Sequence, residues 1–379
     1  MSIVESIVEP IVESLMGLSI SLLGLNSTIV FDGDSVTAGS LGVNHTAYVA
    51  DRVGGRLRLV SGYNQAIGGQ KVDEVLANIN VTLSVSPDIL FVFAGGNDLI
   101  DTTRTPEEIQ NDLRAIYDAA IAAGTRVVAM QYFELGDGVV SVARDLDRVA
   151  INTWIESQPD INVVSLSDFD KNTMLLVDGK HPNDLGAKFI GNQIGDELTK
   201  LLVNESAFSN ALTDQNELHR LSMNPQFAGT GGAKTNNVSG DVPDGWIIDS
   251  DADCSISAAI SGGELSITLS GTNTVANAFV RLRRDLSSLN IGDEYDARIQ
   301  CALPGLNTGV DSVYLLFTAS SANYGRNGTE LGPEMISECV RTSVGVVNTT
   351  TERLSFVVNL LTGTVDSEVK LSKPIIEKI

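Results

Sequence analysis

Between residues 28 and 202 the chain alternates short, apolar, β-branched runs with longer segments of helical periodicity, and this alternation is the strongest constraint on its fold. Strand-like runs fall at 28–31, 58–61, 89–94, 126–132 and 162–166. Helical segments are expected at 106–123, 141–157 and 184–202. The first of these has Thr105 as its cap, Pro106 in its first turn and Gly124 just past its end. Strands that are apolar throughout are buried on both faces, so the pattern predicts a parallel sheet covered by helices on each side. Functional sites of such sheets lie outside the carboxyl ends of the strands.

The flanking regions read differently. Residues 204–223 lose periodicity and are expected to form a linker. Beyond 224 the texture becomes short alternating runs at 264–269, 278–282, 295–299, 312–317, 341–347 and 353–359, punctuated by Gly, Asn and Ser, with Asn327-Gly328 as a candidate tight turn. An all-β sandwich over 224–379 follows. Residues 1–27 open with the repeat Ile-Val-Glu-Ser, Ile-Val-Glu-Pro, Ile-Val-Glu-Ser, an amphipathic arm whose helix starts at Pro10 and runs to about residue 25. This arm either packs on its own domain or serves self-association or docking onto a larger assembly. It carries no Lys or Arg but has Glu5, Glu9 and Glu13, which fits neither a secretory signal nor a membrane span. The α/β region is thus expected at 28–203.

Charge narrows the partners. With 25 basic against 48 acidic residues the formal net charge is -23, which argues against nucleic acid and anionic membranes as ligands. Cys254, Cys301 and Cys339 have no metal-ligand spacing and are expected as buried thiols.

Four stretches carry chemistry. Gly33-Asp34-Ser35 follows the first strand and places a hydroxyl at a strand-to-helix turn. Asn64-Gln65-Ala66-Ile67-Gly68-Gly69 follows the second, and its paired glycines let a backbone amide face a ligand. Gly95-Gly96-Asn97-Asp98 follows the third, with an amide donor behind two glycines. Asp178-Gly179-Lys180-His181-Pro182-Asn183 precedes the last helix, and an acid three residues before a histidine can hold the imidazole in one tautomer. Each stretch alone is ordinary turn chemistry. Together they fall on one rim of a doubly wound sheet. His45 and His219 lack a comparable setting and are expected at the surface.

These four blocks resemble, in number, order and spacing, those of the SGNH hydrolase (GDSL esterase/lipase) superfamily over residues 28–202. The resemblance implies a flavodoxin-like three-layer α/β/α domain with a five-stranded parallel sheet. It implies Ser35 as nucleophile, His181 as general base and Asp178 as the carboxylate that orients it. Oxyanion donors would come from the Ser35 amide, the Gly69 amide and the Asn97 side chain, with Asp34 structural. Neither a metal nor an organic cofactor is called for. Gly68-Gly69 departs from the common Ser-Gly of the second block, which leaves the choice of donor glycine open. The Gly-x-Ser-x-Gly elbow of α/β-hydrolases is absent.

The substrate is less constrained. Residues 224–232 with 242–246, and the ending from 363 to 379, resemble carbohydrate-binding-like jelly-roll modules. That resemblance implies an O-deacetylase acting on an acetylated polysaccharide. Trp246 then reads as either a sugar-stacking ring or a core residue. The amino-terminal repeat and the Asn-Pro-x-Phe-x-Gly-Thr-Gly-Gly stretch are similar to segments of tailed-phage structural proteins, which implies virion attachment or oligomerisation through residues 1–27. Two alternatives stay open: an acyl hydrolase on lipid, thioester or aryl esters, with Tyr132, Phe133 and Leu135 lining an acyl pocket, and a virion structural protein with a residual hydrolase domain.

Overall fold

In a computed structural model of the chain, residues 22–23, 27–203 and 224–378 are described, apart from breaks at 42–43, 54–55, 102, 225, 236, 288–291, 293, 305–306, 320–321, 328–337, 342–344 and 347–350. The expected arm (22, 23 and 27 excepted), the linker, His219 and Gly328 of the expected Asn327-Gly328 turn lie outside these residues.

Five strands, β1 (Ser27–Gly33), β2 (Leu57–Asn64), β3 (Ile89–Phe93), β4 (Arg126–Met130) and β5 (Asn162–Val164), form one sheet in the order β2-β1-β3-β4-β5. All four pairings are parallel. β3 reads Ile-Leu-Phe-Val-Phe and is buried at every position, as a central strand covered on both faces must be. The intervening helices are α1 (Ser35–Ala38), α2 (His45–Arg52), α3 (Val72–Leu83), α4 (Gly96–Ile100), α5 (Pro106–Ala122), α6 (Val142–Glu156), α7 (Lys171–Met174) and α8 (Asp184–Leu201). The start of α5 is fixed by a capping box, Thr105 accepting from the Glu108 amide and Glu108 accepting from the Thr105 amide. The parallel sheet expected from the alternation is observed with each of its five strands present, in the flavodoxin-like architecture that the resemblance implied.

Strand order reverses between β1 and β3. The chain leaves β1 toward one side of the sheet and β3 toward the other, so their carboxyl ends flank the crevice where such folds bind ligands. The two strands close tightly there. Gly33 has φ 152°, and a Cβ on it would sit 2.0 Å from the Phe93 carbonyl oxygen.

The C-terminal region is all β. One sheet runs β15 (Glu338–Arg341), β12 (Glu294–Ala302), β18 (Gly363–Lys378), β10 (Glu264–Asn273), β9 (Ser255–Ser261), β7 (Val238–Gly240), with β16 (Gly345–Val346) also on β12. The second runs β14 (Ala322–Asn327), β13 (Val310–Ala319), β17 (Thr351–Leu360), β11 (Ala278–Ser287), β8 (Val242–Ser250), β6 (Gly231–Lys234). The expected run at 341–347 is two short strands. Strands β6 to β9, β14 and β18 were not among the expected runs. β9 is built of small residues (Ser-Ile-Ser-Ala-Ala-Ile-Ser), and β18 passes through Pro374 with a left-handed residue at Lys373 (φ 52°), so neither carries the usual β-branched signature.

Trp246 is 1% exposed, with Phe227 edge-on at 5.5 Å and the Arg284 guanidinium over its ring at 5.8 Å. Its ring is core, and the expectation of a glycan contact at Trp246 is corrected: no face of it is open to a sugar. Cys254 and Cys301 are buried, as expected.

Gly33→Ala should destabilise the protein by on the order of 3 kcal/mol, since backbone and not a flexible side chain blocks the added methyl. Gly69→Ala, with φ 85° but open space around its Cβ, should cost about 1–2 kcal/mol. Urea midpoints of the two variants check the ranking, and equal midpoints would contradict it.

Candidate active site

The first strand delivers Ser35 through a one-turn helix. Asp34 caps α1 by accepting from the Val36 amide at 3.0 Å, and Gly39 ends it in the left-handed conformation (φ 67°). Beneath this turn lies His45, which the sequence reading placed at the surface. It is 1% exposed and packs against Phe31 and Phe91, with ring centroids 6.4 and 5.8 Å away. One ring nitrogen bonds the Val36 backbone, Nε2 has no hydrogen-bond partner, and burial depresses the pKa to about 4. A neutral imidazole here fills space under the Ser35 turn, a role with no periodic signature in the sequence.

Ser35 Oγ lies 2.8 Å from His181 Nε2, and His181 Nδ1 lies 2.6 Å from Asp178 Oδ2. An ionised carboxylate only accepts, so Nδ1 carries the ring proton and Nε2 is left to accept from the Ser35 hydroxyl. Asp178 Oδ1 accepts from the Lys180 and His181 amides at 2.9 and 3.1 Å. Burial pushes the Asp178 carboxyl up, but the His181 ring and these two amides outweigh it and hold the pKa below the usual carboxylate range. The loop itself is pinned. The Leu176 amide donates to the His181 carbonyl at 2.8 Å, the Gly136 amide donates to the Gly179 carbonyl at 2.8 Å, and Asn183 caps α8 through the Gly186 amide.

The second block is tied to the first. Asn64 Nδ2 donates to the Thr37 carbonyl at 2.8 Å, and the Ile67 amide donates to the Gly33 carbonyl at 3.2 Å. A Cβ on Gly68 would lie 3.7 Å from the Ser35 Cβ. The Ser35, Gly68 and Gly69 amides have no acceptor among the described residues. Asn97 donates one amide hydrogen to the Gln70 carbonyl at 2.9 Å, which fixes its rotamer and leaves the second free. Asn97, Ser35 and His181 line one cavity of about 440 Å³, whose apolar wall includes Leu99, Ile100, Phe133 and Leu135. Phe133 is stacked between Phe93 and Phe169, at 5.9 and 4.6 Å. Gly69 lies outside that lining.

A second layer escaped the sequence reading. Asp98 is fully buried, accepting from the Val72 amide at 3.1 Å and from Arg104 Nη1 at 3.0 Å. Burial still leaves its pKa raised. Arg144, on α6, donates to the carbonyls of Asp98, Leu99 and Arg104 at 2.5, 3.2 and 3.0 Å and so holds the loop that carries Asn97. Asp98 stood in a quoted block; Arg104 and Arg144 have no local motif to announce them. Among the described residues no cluster of His, Cys, Asp and Glu is arranged to hold a metal, and no helix is long and apolar enough to cross a membrane.

Residues 31–189 match the sequence profile of the GDSL-like Lipase/Acylhydrolase family. Comparison with curated proteins finds no match. Among solved structures, similarity extends to a carbohydrate esterase family 3 from Talaromyces cellulolyticus, at 21% identity and TM-score 0.40, over 46% of this chain and 97% of that one. The lipase/acylhydrolase from Enterococcus faecalis is similar at 20% identity and TM-score 0.41, over 47% and 98%. The Clostridium thermocellum family 3 carbohydrate esterase is similar at 21% identity and TM-score 0.37, over 45% and 93%.

Burial raises the Asp34 pKa to about 7, with the Val36 amide and the nearby His181 opposing. A carboxyl that holds its proton more tightly when folded adds stability that is complete below its unfolded value, near 4, and lost as pH rises through 7. Asn keeps the capping oxygen and has no proton to lose. The stability advantage of wild type over Asp34→Asn should therefore shrink between pH 4 and 8, as read from urea unfolding at each pH. A gap independent of pH would refute the assignment.

Proposed function

We propose that the chain is a serine carboxylic ester hydrolase in which Ser35 is the nucleophile, His181 the general base and Asp178 its orienting carboxylate. The observation that carries this reading is the unbroken hydrogen-bond chain Asp178–His181–Ser35 ending at a cavity that Asn97 also lines. Ser35 Oγ attacks the ester carbonyl while Nε2 takes its proton, and the same nitrogen then gives that proton to the departing alcohol. Asp178 stabilises the imidazolium formed in between. Negative charge growing on the carbonyl oxygen is met by the Ser35 amide, the free hydrogen of Asn97 Nδ2 and the Gly69 amide. A water then repeats the sequence on the acyl-enzyme.

For the substrate we propose acetyl or other short-chain esters on a polysaccharide. The cavity beside Ser35 is narrow, and Phe133, stacked between Phe93 and Phe169, is held against swinging aside to lengthen it. The C-terminal sandwich would hold the polymer through side chains other than the buried Trp246. Residues 1–27 would serve assembly, including attachment to a virion. A second reading, an acyl hydrolase for longer chains, is favoured by the apolar wall of Leu99, Ile100, Phe133 and Leu135.

Ser35→Ala should abolish release of p-nitrophenol from p-nitrophenyl acetate with the thermal midpoint unchanged; retained turnover would sink the triad. Asn97→Ala should lower kcat about 10²–10³-fold with little change in KM, since its donor matters most in the transition state. A change confined to KM would remove Asn97 from the oxyanion site. In a p-nitrophenyl ester series run beside acetate release from acetylated polysaccharide, kcat/KM should fall from acetyl to octanoyl. The opposite order would establish the long-chain reading.

A further inference from the structure

We propose that Lys180 is an anion subsite on the alcohol side of the cleft, selecting esters whose alcohol portion carries a carboxylate, such as an O-acetylated uronic acid unit. The inference rests on the esterase reading and adds the class of alcohol to it. Lys180 is half-buried and lines the same cavity as Ser35, Asn97 and His181. Its ammonium has no acceptor among the described residues. In a chain with 48 acidic and 25 basic residues this is a conspicuous vacancy.

Other cations of the α/β region are paired: Lys71 with Asp101, Arg104 with Asp98 and Asp112, Arg148 with Asp145. The carboxylates on Lys180's own loop and on the facing loop are taken as well. Asp178 gives Oδ2 to the His181 ring and Oδ1 to two backbone amides. The facing loop touches this one through the Gly136 amide and the Gly179 carbonyl, yet both its acids, Glu134 and Asp137, are held by Lys171 at 2.6 and 2.7 Å. Lys171 thus occupies both acids of the facing loop. Lys180 is the one Lys or Arg among the residues lining this cavity, and the carboxyl that also lines it, Asp34, accepts from the Val36 amide and is pushed up to about 7 by burial. In such a partly desolvated cleft an ion pair is stronger than at an open surface.

Position assigns the half of the substrate. His181 must reach the leaving oxygen, so a side chain that lines the cavity beside it meets the alcohol rather than the acyl group. A lysine presents a compact point charge without the planar fork of arginine, which suits one carboxylate.

The test compares an O-acetylated methyl glucuronoside with the matching O-acetylated methyl glucoside, beside p-nitrophenyl acetate. Wild type should prefer the glucuronoside by about tenfold in kcat/KM, through KM, and added salt should erode the preference. Lys180→Met should collapse the ratio toward one, and Lys180→Arg should retain most of it. A wild type without preference, a preference that survives in Lys180→Met, or an equal loss on both sugars would overturn the subsite. Absence of turnover on p-nitrophenyl acetate would instead overturn the esterase reading beneath it.

Discussion

The site depends on the parallel pairing of β1 and β3, whose carboxyl ends meet at the one place where strand order reverses. Gly33 lies against the Phe93 carbonyl so closely that no side chain fits, and the residues that follow the two strands form the Asp34-Ser35 turn and the Gly95-Gly96-Asn97 turn. Covalent neighbours of a rigid, fully buried sheet inherit its precision. A hydroxyl and an amide donor that arise 62 residues apart in sequence are thereby held over one cavity without either needing a long, entropically costly loop.

Each loop on this rim is then fastened by backbone groups rather than by substrate. Asn64 holds Thr37, Gln70 holds Asn97, Gly136 holds Gly179, and Arg144 collects three carbonyls behind Asn97. Donors that are already fixed cost no reorganisation when charge develops, which is the main source of catalytic power in sites of this kind. Two buried carboxyls, Asp34 and Asp98, are part of the same fastening. Their raised pKa values measure how far burial works against their ionised forms, Asp34 tolerating it through a capping bond and Asp98 through Arg104 and the Val72 amide.

How much of this was legible in the sequence follows from what each residue interacts with. Strands of the parallel sheet are continuous apolar runs, and residues such as Ser35, Asn97, Asp178 and His181 sit in loops beside glycine or proline, where local chemistry is written locally. β9 and β18 were missed because small and charged residues occupy strands whose identity comes from pairing with β10 and β12, far along the chain. His45 was misplaced for the same reason: its burial is a property of Phe31 and Phe91, not of its neighbours in sequence. Trp246 resolved to core because Phe227 and Arg284 close both sides of it.

Substrate choice belongs to a different set of residues from the chemistry. The chain Asp178–His181–Ser35 requires those side-chain types in that geometry, so it leaves a motif. The cavity wall asks only that Leu99, Ile100, Phe133 and Leu135 be apolar and fill their volume, and many residues satisfy that. Lys180 stands between the two residues of the Asp178–His181 pair, fixed in place by its backbone amide, while its side chain is free of any structural duty. Such a position can change its charge without disturbing the hydrogen bonds on either side. It is the point in this fold where recognition of the alcohol can be altered independently of the machinery that cleaves the ester.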